Sequence, residues 1–201
     1  MLSNGCAAVG ARLTVPARAE LSDVNIQLTC SSFSYYGKKG YALRCATERR
    51  IMCALAVIEA AYALRRTGVI VPSVSIMSGI AKYRTPGLFD VVSVNPTVIV
   101  DCAANGREAA MLFDALSFFD DNAGIGRHIV VGLPSNFSSD IPTPPAPFDI
   151  ERTVWVSNPK RELPDIISSL SNDSILICFG GTQFAGKMRY ETVRILNSTF
   201  L

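Results

Sequence analysis

The stretch VVSVNPTVIVDCAANGREAAMLFDAL, residues 91–116, limits the possible folds more than any other part of the chain. Two short apolar runs flank Asn95-Pro96, and the second ends in Asp101, three small residues, Asn105 and an amphipathic helical pattern. A strand that turns tightly into a helix is the building unit of open α/β sheets. Asn105 is placed to cap the helix, and Glu108, three residues on, completes a capping-box-like pattern. Ligands in such sheets gather at the carboxyl ends of the strands. Asp101 and Asn105 are therefore candidates for a nucleotide-binding turn. On residue types alone, the commoner meaning of the pattern is a well-capped turn in which the acid satisfies backbone donors.

The rest of the second half repeats the alternation. Strands are predicted at 89–94, 97–101, 128–132, 152–156 and 174–179, and helices at 106–119, at 160–170 and from about 183. Strands alternating with helices imply an α/β domain with a mostly parallel sheet, placed at 86–201. The segment GLPSNFSSDIPTPPAPFD is rich in Pro and Ser and reads as an exposed connection. A second turn, ILICFGGTQFAGK, sets Gly180 and Gly181 after a strand and lets Thr182 open a helix. These three residues form a possible anion crest, since helix N-termini attract anions. The pattern is neither G-x-G-x-x-G nor a Walker A loop, and tight turns need glycine for backbone reasons alone. Asp101 and Gly180 are expected on one edge of one sheet.

Residues 1–20 carry little pattern. A strand is predicted at Val24–Cys30 and another in GYALRCA, joined by a loop SYYGKKG. A helix follows Thr47, with Ile51, Leu55, Ile58 and Tyr62 at helical spacing and Gly68 as its stop. A shorter helix starts near Ser73, and Pro86-Gly87 marks a turn and the boundary between segments 1–85 and 86–201. Two strands and two helices are not expected to close a core alone. Helix 48–66 is apolar nearly all round, so burial on more than one side is expected, with self-association as the outcome.

Net charge is +2 and no dense basic run occurs, which argues against nucleic acid or a membrane surface as partner. The longest apolar stretch, Met52–Leu64, contains Glu59 and is too short to span a bilayer. An Ala-Arg-Ala near the N-terminus lacks a preceding basic region, so no secretory signal is expected. The six cysteines, Cys6, Cys30, Cys45, Cys53, Cys102 and Cys178, form no C-x-x-C pair, and His128 is the one histidine. Free thiols, a cytoplasmic location and no metal site follow. His128 reads as structural or exposed, and no catalytic residue is assigned.

The order of these pieces carries a resemblance. ERRIMCALAVIEAAYALRRTG, then VPSVSIMSGIAKYRTPGLFDVVSVNPTVIVDCAANGREAAMLFDAL, then ILICFGGTQFAGKMR, resembles the later half of bifunctional folylpolyglutamate synthase / dihydrofolate synthase enzymes of the Mur ligase superfamily. The likeness covers roughly residues 24–201 and is strongest over 76–116. It implies a Rossmann-like C-terminal domain at 86–201, preceded at 1–85 by a small α+β remnant of the central ATPase domain. In the intact family it implies ATP and Mg, ligation of an amino acid through an acyl phosphate, and a role in folate biosynthesis. Asp101 and Asn105 match the Asp and Asn of a D-x-A-H-N-P motif and would help hold the nucleotide. Three positions and one stretch depart from the family pattern. Ala104 stands for the motif histidine, Gly106 for its proline and Leu88 for the arginine of a P-G-R-(L/F)-(E/Q) turn. The family's Asp-Lys-Asp stretch is replaced by GLPSNFSSD, with Asp140 as its nearest equivalent. A phosphate-binding cation and a donor are thereby lost, and no P-loop is present. The resemblance therefore implies part of a ligase that is not catalytic by itself, partnered by a chain that supplies the P-loop. The alternative is a degenerate relative acting as an interaction or binding module.

Overall fold

A computed structural model describes residues 2–44, 47–118, 128–171 and 174–199. Two compact units emerge, one made of Met1–Ile26, Cys30–Arg44 and Glu48–Tyr83, the other of Gln27–Thr29, Cys45–Thr47 and Arg84–Leu201.

In the first unit a short helix, α1 (Leu2–Ala8), precedes an antiparallel meander of β1 (Leu21–Ile26), β2 (Ser31–Tyr35) and β3 (Lys38–Leu43). The expected two strands are three. The segment predicted as Val24–Cys30 stops at Ile26, and β2 starts beyond that segment and runs into the expected loop. The loop shrinks to Tyr36-Gly37, whose φ values of 49° and 67° form the left-handed pair that a two-residue hairpin turn requires. The strand was hard to read because three serines fill its register, two of them buried. Cys45 lies outside the described residues. Helix α2 (Glu48–Arg66) sets Ile51, Leu55 and Ile58 into a core with Phe33, Tyr35, Tyr41 and Leu43, and α3 (Ser73–Lys82) adds Ile76 and Ile80. The added strand lets this unit close a small core of its own, contrary to expectation. Gly68, with φ of 90°, ends α2 as predicted, while Val69 and Gly68 donate to the carbonyls of Leu64 and Arg65. Inside the core the Tyr35 hydroxyl donates to buried Glu59 at 2.7 Å and accepts from the Ala17 amide at 2.9 Å.

The second unit is a five-stranded sheet in the order β4 (Asp90–Val94), β5 (Thr97–Val100), β8 (Ser174–Cys178), β6 (His128–Pro134), β7 (Asp149–Val156). β4 pairs antiparallel with β5, and all other pairings are parallel. Among the described residues three α-helices cover it: α4 (Gly106–Asp114), α5 (Pro159–Ser168) and α6 (Thr182–Thr199). Val98, Val100, Val130, Leu176 and Cys178 pack on one face with Leu163 and Ile166 of α5 and Ala185 and Met188 of α6. The alternate residues, Ile99, Ile129, Val131, Ile175 and Ile177, are fully buried on the other face, where Phe113 of α4 meets Phe179 edge-on at 5.9 Å. This is the α/β arrangement that the sequence implied. The predicted helix 106–119 ends at Asp114 and tightens into a single 3-10 turn over Ala115–Phe118; residue 119 is outside the described residues. β6 runs on to Pro134, so Gly132–Pro134 belong to the sheet and not to the connection. That connection is also not wholly exposed, because Pro144 and Phe148 are buried.

Candidate functional site

β5 and β8 run side by side in parallel, with Val100 opposite Cys178 and the Asp101 amide donating to the Cys178 carbonyl at 2.9 Å. The turns after these strands therefore share one carboxyl edge, as expected for Asp101 and Gly180. α4 leaves on the Phe179 face and α6 on the opposite face, so the two crests flank a topological switch point.

The Asp101 carboxylate is buried and faces backbone. Its Oδ2 accepts from the Phe89 amide at 2.6 Å and its Oδ1 from the Ala103 amide at 2.8 Å. Phe89 sits at φ 46°, a left-handed conformation unusual for an aromatic residue, and the bond from Asp101 holds it there. Asp90 accepts from the Gly87 amide at 3.3 Å and from Arg189 Nε of α6 at 2.7 Å. Two acids thus fix the Pro-Gly-Leu-Phe turn. Sequence reading missed Asp90 and Arg189. Asp90 occupies the acid position of the turn motif and was legible. Arg189 lies 99 residues away and carries no local signal.

Asn105 caps α4, its Oδ1 accepting from the Glu108 amide at 3.0 Å, and Glu108 Oε2 accepts in return from the Ala104 amide at 2.7 Å. The Gly181 amide donates to the Ala103 carbonyl at 3.0 Å. Gly180, at φ 148°, passes so close to Pro134 that a Cβ would stand 2.2 Å from the proline Cδ; Gly181, at φ 91°, lies beside Ala104. Thr182 opens α6. Asp101, Ala103, Ala104, Gly180 and Gly181 are thus brought together, but the amides of Phe89, Ala103, Ala104, Glu108 and Gly181 already donate within the chain. Leu88 and Ala104 are exposed and bring neither cation nor imidazole to the crest. Burial pushes the Cys178 thiol up, out of reach of thiolate chemistry. His128 stands at the opposite, amino edge, its Nδ1 2.9 Å from Asp149 Oδ1. Among the described residues no group of His, Cys, Asp and Glu has a metal-binding arrangement, and no helix is long and apolar enough to cross a membrane.

No protein-family profile and no curated protein matches the sequence. Solved structures do. The folylpolyglutamate synthase of Mycobacterium tuberculosis, solved with ADP and AMPPCP, superposes with a TM-score of 0.62 at 18% identity over 94% of this chain and 51% of that one. The Thermotoga maritima enzyme gives 0.64 at 16% identity, over 100% and 51%. The Lactobacillus casei synthetase gives 0.66 at 13% identity, over 96% and 50%. The chain thus spans about half the length of the structures it matches. It has the fold of folylpolyglutamate synthases over that half, and its five-stranded, mostly parallel sheet matches the Rossmann-like C-terminal domain of that fold.

Proposed function

We propose that the chain is the C-terminal part of a folylpolyglutamate synthase / dihydrofolate synthase-like ATP-dependent ligase and is not catalytic by itself. One observation carries this reading: 94–100% of the chain superposes on about half of a folylpolyglutamate synthase. In this reading 1–85 is a remnant of the central ATPase domain, the complementing half with its P-loop lies on a partner, and the location is cytoplasmic.

The residues present do not fit Mg-ATP unaided. Asp101 is engaged by two backbone amides, Asn105 is a helix cap, and the positions where the resemblance expects Arg and His hold Leu88 and Ala104. At those two positions negative charge on a phosphoryl group would meet neither a guanidinium nor an imidazole. Asp101, Asn105 and the Gly180-Gly181-Thr182 crest therefore shape the wall of a nucleotide site whose charged groups come from elsewhere.

Purified chain supplied with ATP, Mg, glutamate and a folate is expected to release no ADP and lengthen no folate. Ligation by the chain alone, abolished by Asp101→Ala, would overturn the proposal. The second reading, a degenerate interaction module, is favoured by the internal satisfaction of the crest amides. Mixing the chain with the P-loop half of a folylpolyglutamate synthase separates the two. Restored ligation marks an enzyme part, and a stable complex without turnover marks a module.

A further inference from the structure

The connection from β6 to β7, residues 135–148, joins two adjacent parallel strands without a helix, although crossovers of this kind usually contain one. It begins at Pro134, whose ring fills the space above Gly180. Phe137 donates its amide to the Pro134 carbonyl at 3.0 Å and sets its ring edge-on to Phe179 at 5.6 Å. Midway, the Asp140 backbone carbonyl lies 2.8 Å from where a Cβ on Gly106 would stand, at the first residue of α4. At its far end Pro144 and Phe148 are buried. The connection is thus seated at both ends and rests in its middle against the start of α4.

We propose that residues 135–148 are a strap that closes the crest over the N-terminus of α4, with Gly106 as its seat. Gly106 is not in a left-handed conformation, so backbone freedom does not explain the glycine. What explains it is room: any side chain, proline included, would meet main-chain atoms of Asp140. The two departures from the family pattern, glycine for proline at 106 and the Pro/Ser-rich segment around Asp140, are then one change seen from two sides. The inference concerns access to the crest and holds whether or not the chain is part of a ligase.

The test is Gly106→Ala in the full chain. In a helix not covered at this point the substitution is neutral or stabilising, because alanine forms helix more readily than glycine. With the strap seated there, the methyl group displaces main chain. The expected result is a Tm lower by about 3 °C or more. Amide exchange over 135–142 should quicken by roughly tenfold or more, with β4 and β5 still protected. A Tm that stays or rises, or unchanged exchange in the strap, overturns the proposal. Should Gly106→Ala fail to fold, two glycines inserted after Asp140 give the strap slack. Recovery of the fold supports the seat, and failure to recover overturns it.

Discussion

Asp101 shows what one side chain does at the crest. Its two carboxylate oxygens accept two buried backbone amides, from Phe89 and Ala103, and so join the turn before β4 to the turn after β5. Asp101→Ala leaves both donors without this acceptor, and each such loss costs about 1–3 kcal/mol. We expect the variant to lose roughly 3 kcal/mol in urea unfolding, with Asp101→Asn losing less because one acceptor oxygen remains. A loss below about 0.5 kcal/mol for Asp101→Ala, the range of an ordinary surface change, would show that the acid does not hold the turn. Cys178 gives a second test. Burial raises its thiol pKa, so the thiolate is scarce at neutral and mildly alkaline pH. Alkylation at pH 8 followed by peptide mass spectrometry should label exposed Cys30 quickly and Cys178 only at the rate of unfolding. At this scale the sequence was informative where the chemistry is local. The capping pair Asn105 and Glu108 was legible from three-residue spacing. The Asp90–Arg189 pair was not, because only folding brings its members together.

Among the elements, the second unit was readable because its central strands β5, β6 and β8 are apolar runs buried on both faces, as parallel strands require. The meander of the first unit was not, because β2 buries serines beside its aromatics and turns on a tyrosine at positive φ. What joins this sheet to α2 is also polar: Tyr35 donates to Glu59 inside an apolar core. A buried acid with one partner is strongly coupled to it. Glu59→Ala should destabilise by about 2 kcal/mol, since the tyrosine hydroxyl loses its acceptor. Tyr35→Phe should cost as much or more, since it leaves a buried carboxylate without this donor. The double variant Tyr35→Phe/Glu59→Leu should cost less than the sum of the single changes, because it removes both polar groups together. Strict additivity in a thermodynamic cycle would show that the pair is not coupled.

At the scale of the whole molecule, the first unit buries only one side of its longest helix. Ile51, Leu55, Ile58 and Glu59 face the sheet, whereas Cys53, Ala56, Val57, Ala60 and Leu64 are exposed along a stripe at helical spacing. Ile70, 90% exposed, and Val74, 72% exposed, add to the apolar surface of this unit. The apolar pattern running nearly all round the helix predicts burial on more than one side, and among the described residues one side alone is buried. Soluble monomers rarely leave apolar patches larger than a few hundred Å² uncovered. We therefore expect the purified chain to self-associate through α2 when no complementary half is present. Light scattering should report a dimer or larger species. Val57→Lys with Leu64→Lys should shift it to monomer while changing stability by no more than about 0.5 kcal/mol, since both side chains are about half exposed and lie outside the core. Addition of a P-loop half should compete with self-association if the same stripe receives it. A wild-type monomer in which the amides of α2 resist exchange from end to end would refute association through this helix. It would leave the stripe as surface that the isolated chain tolerates.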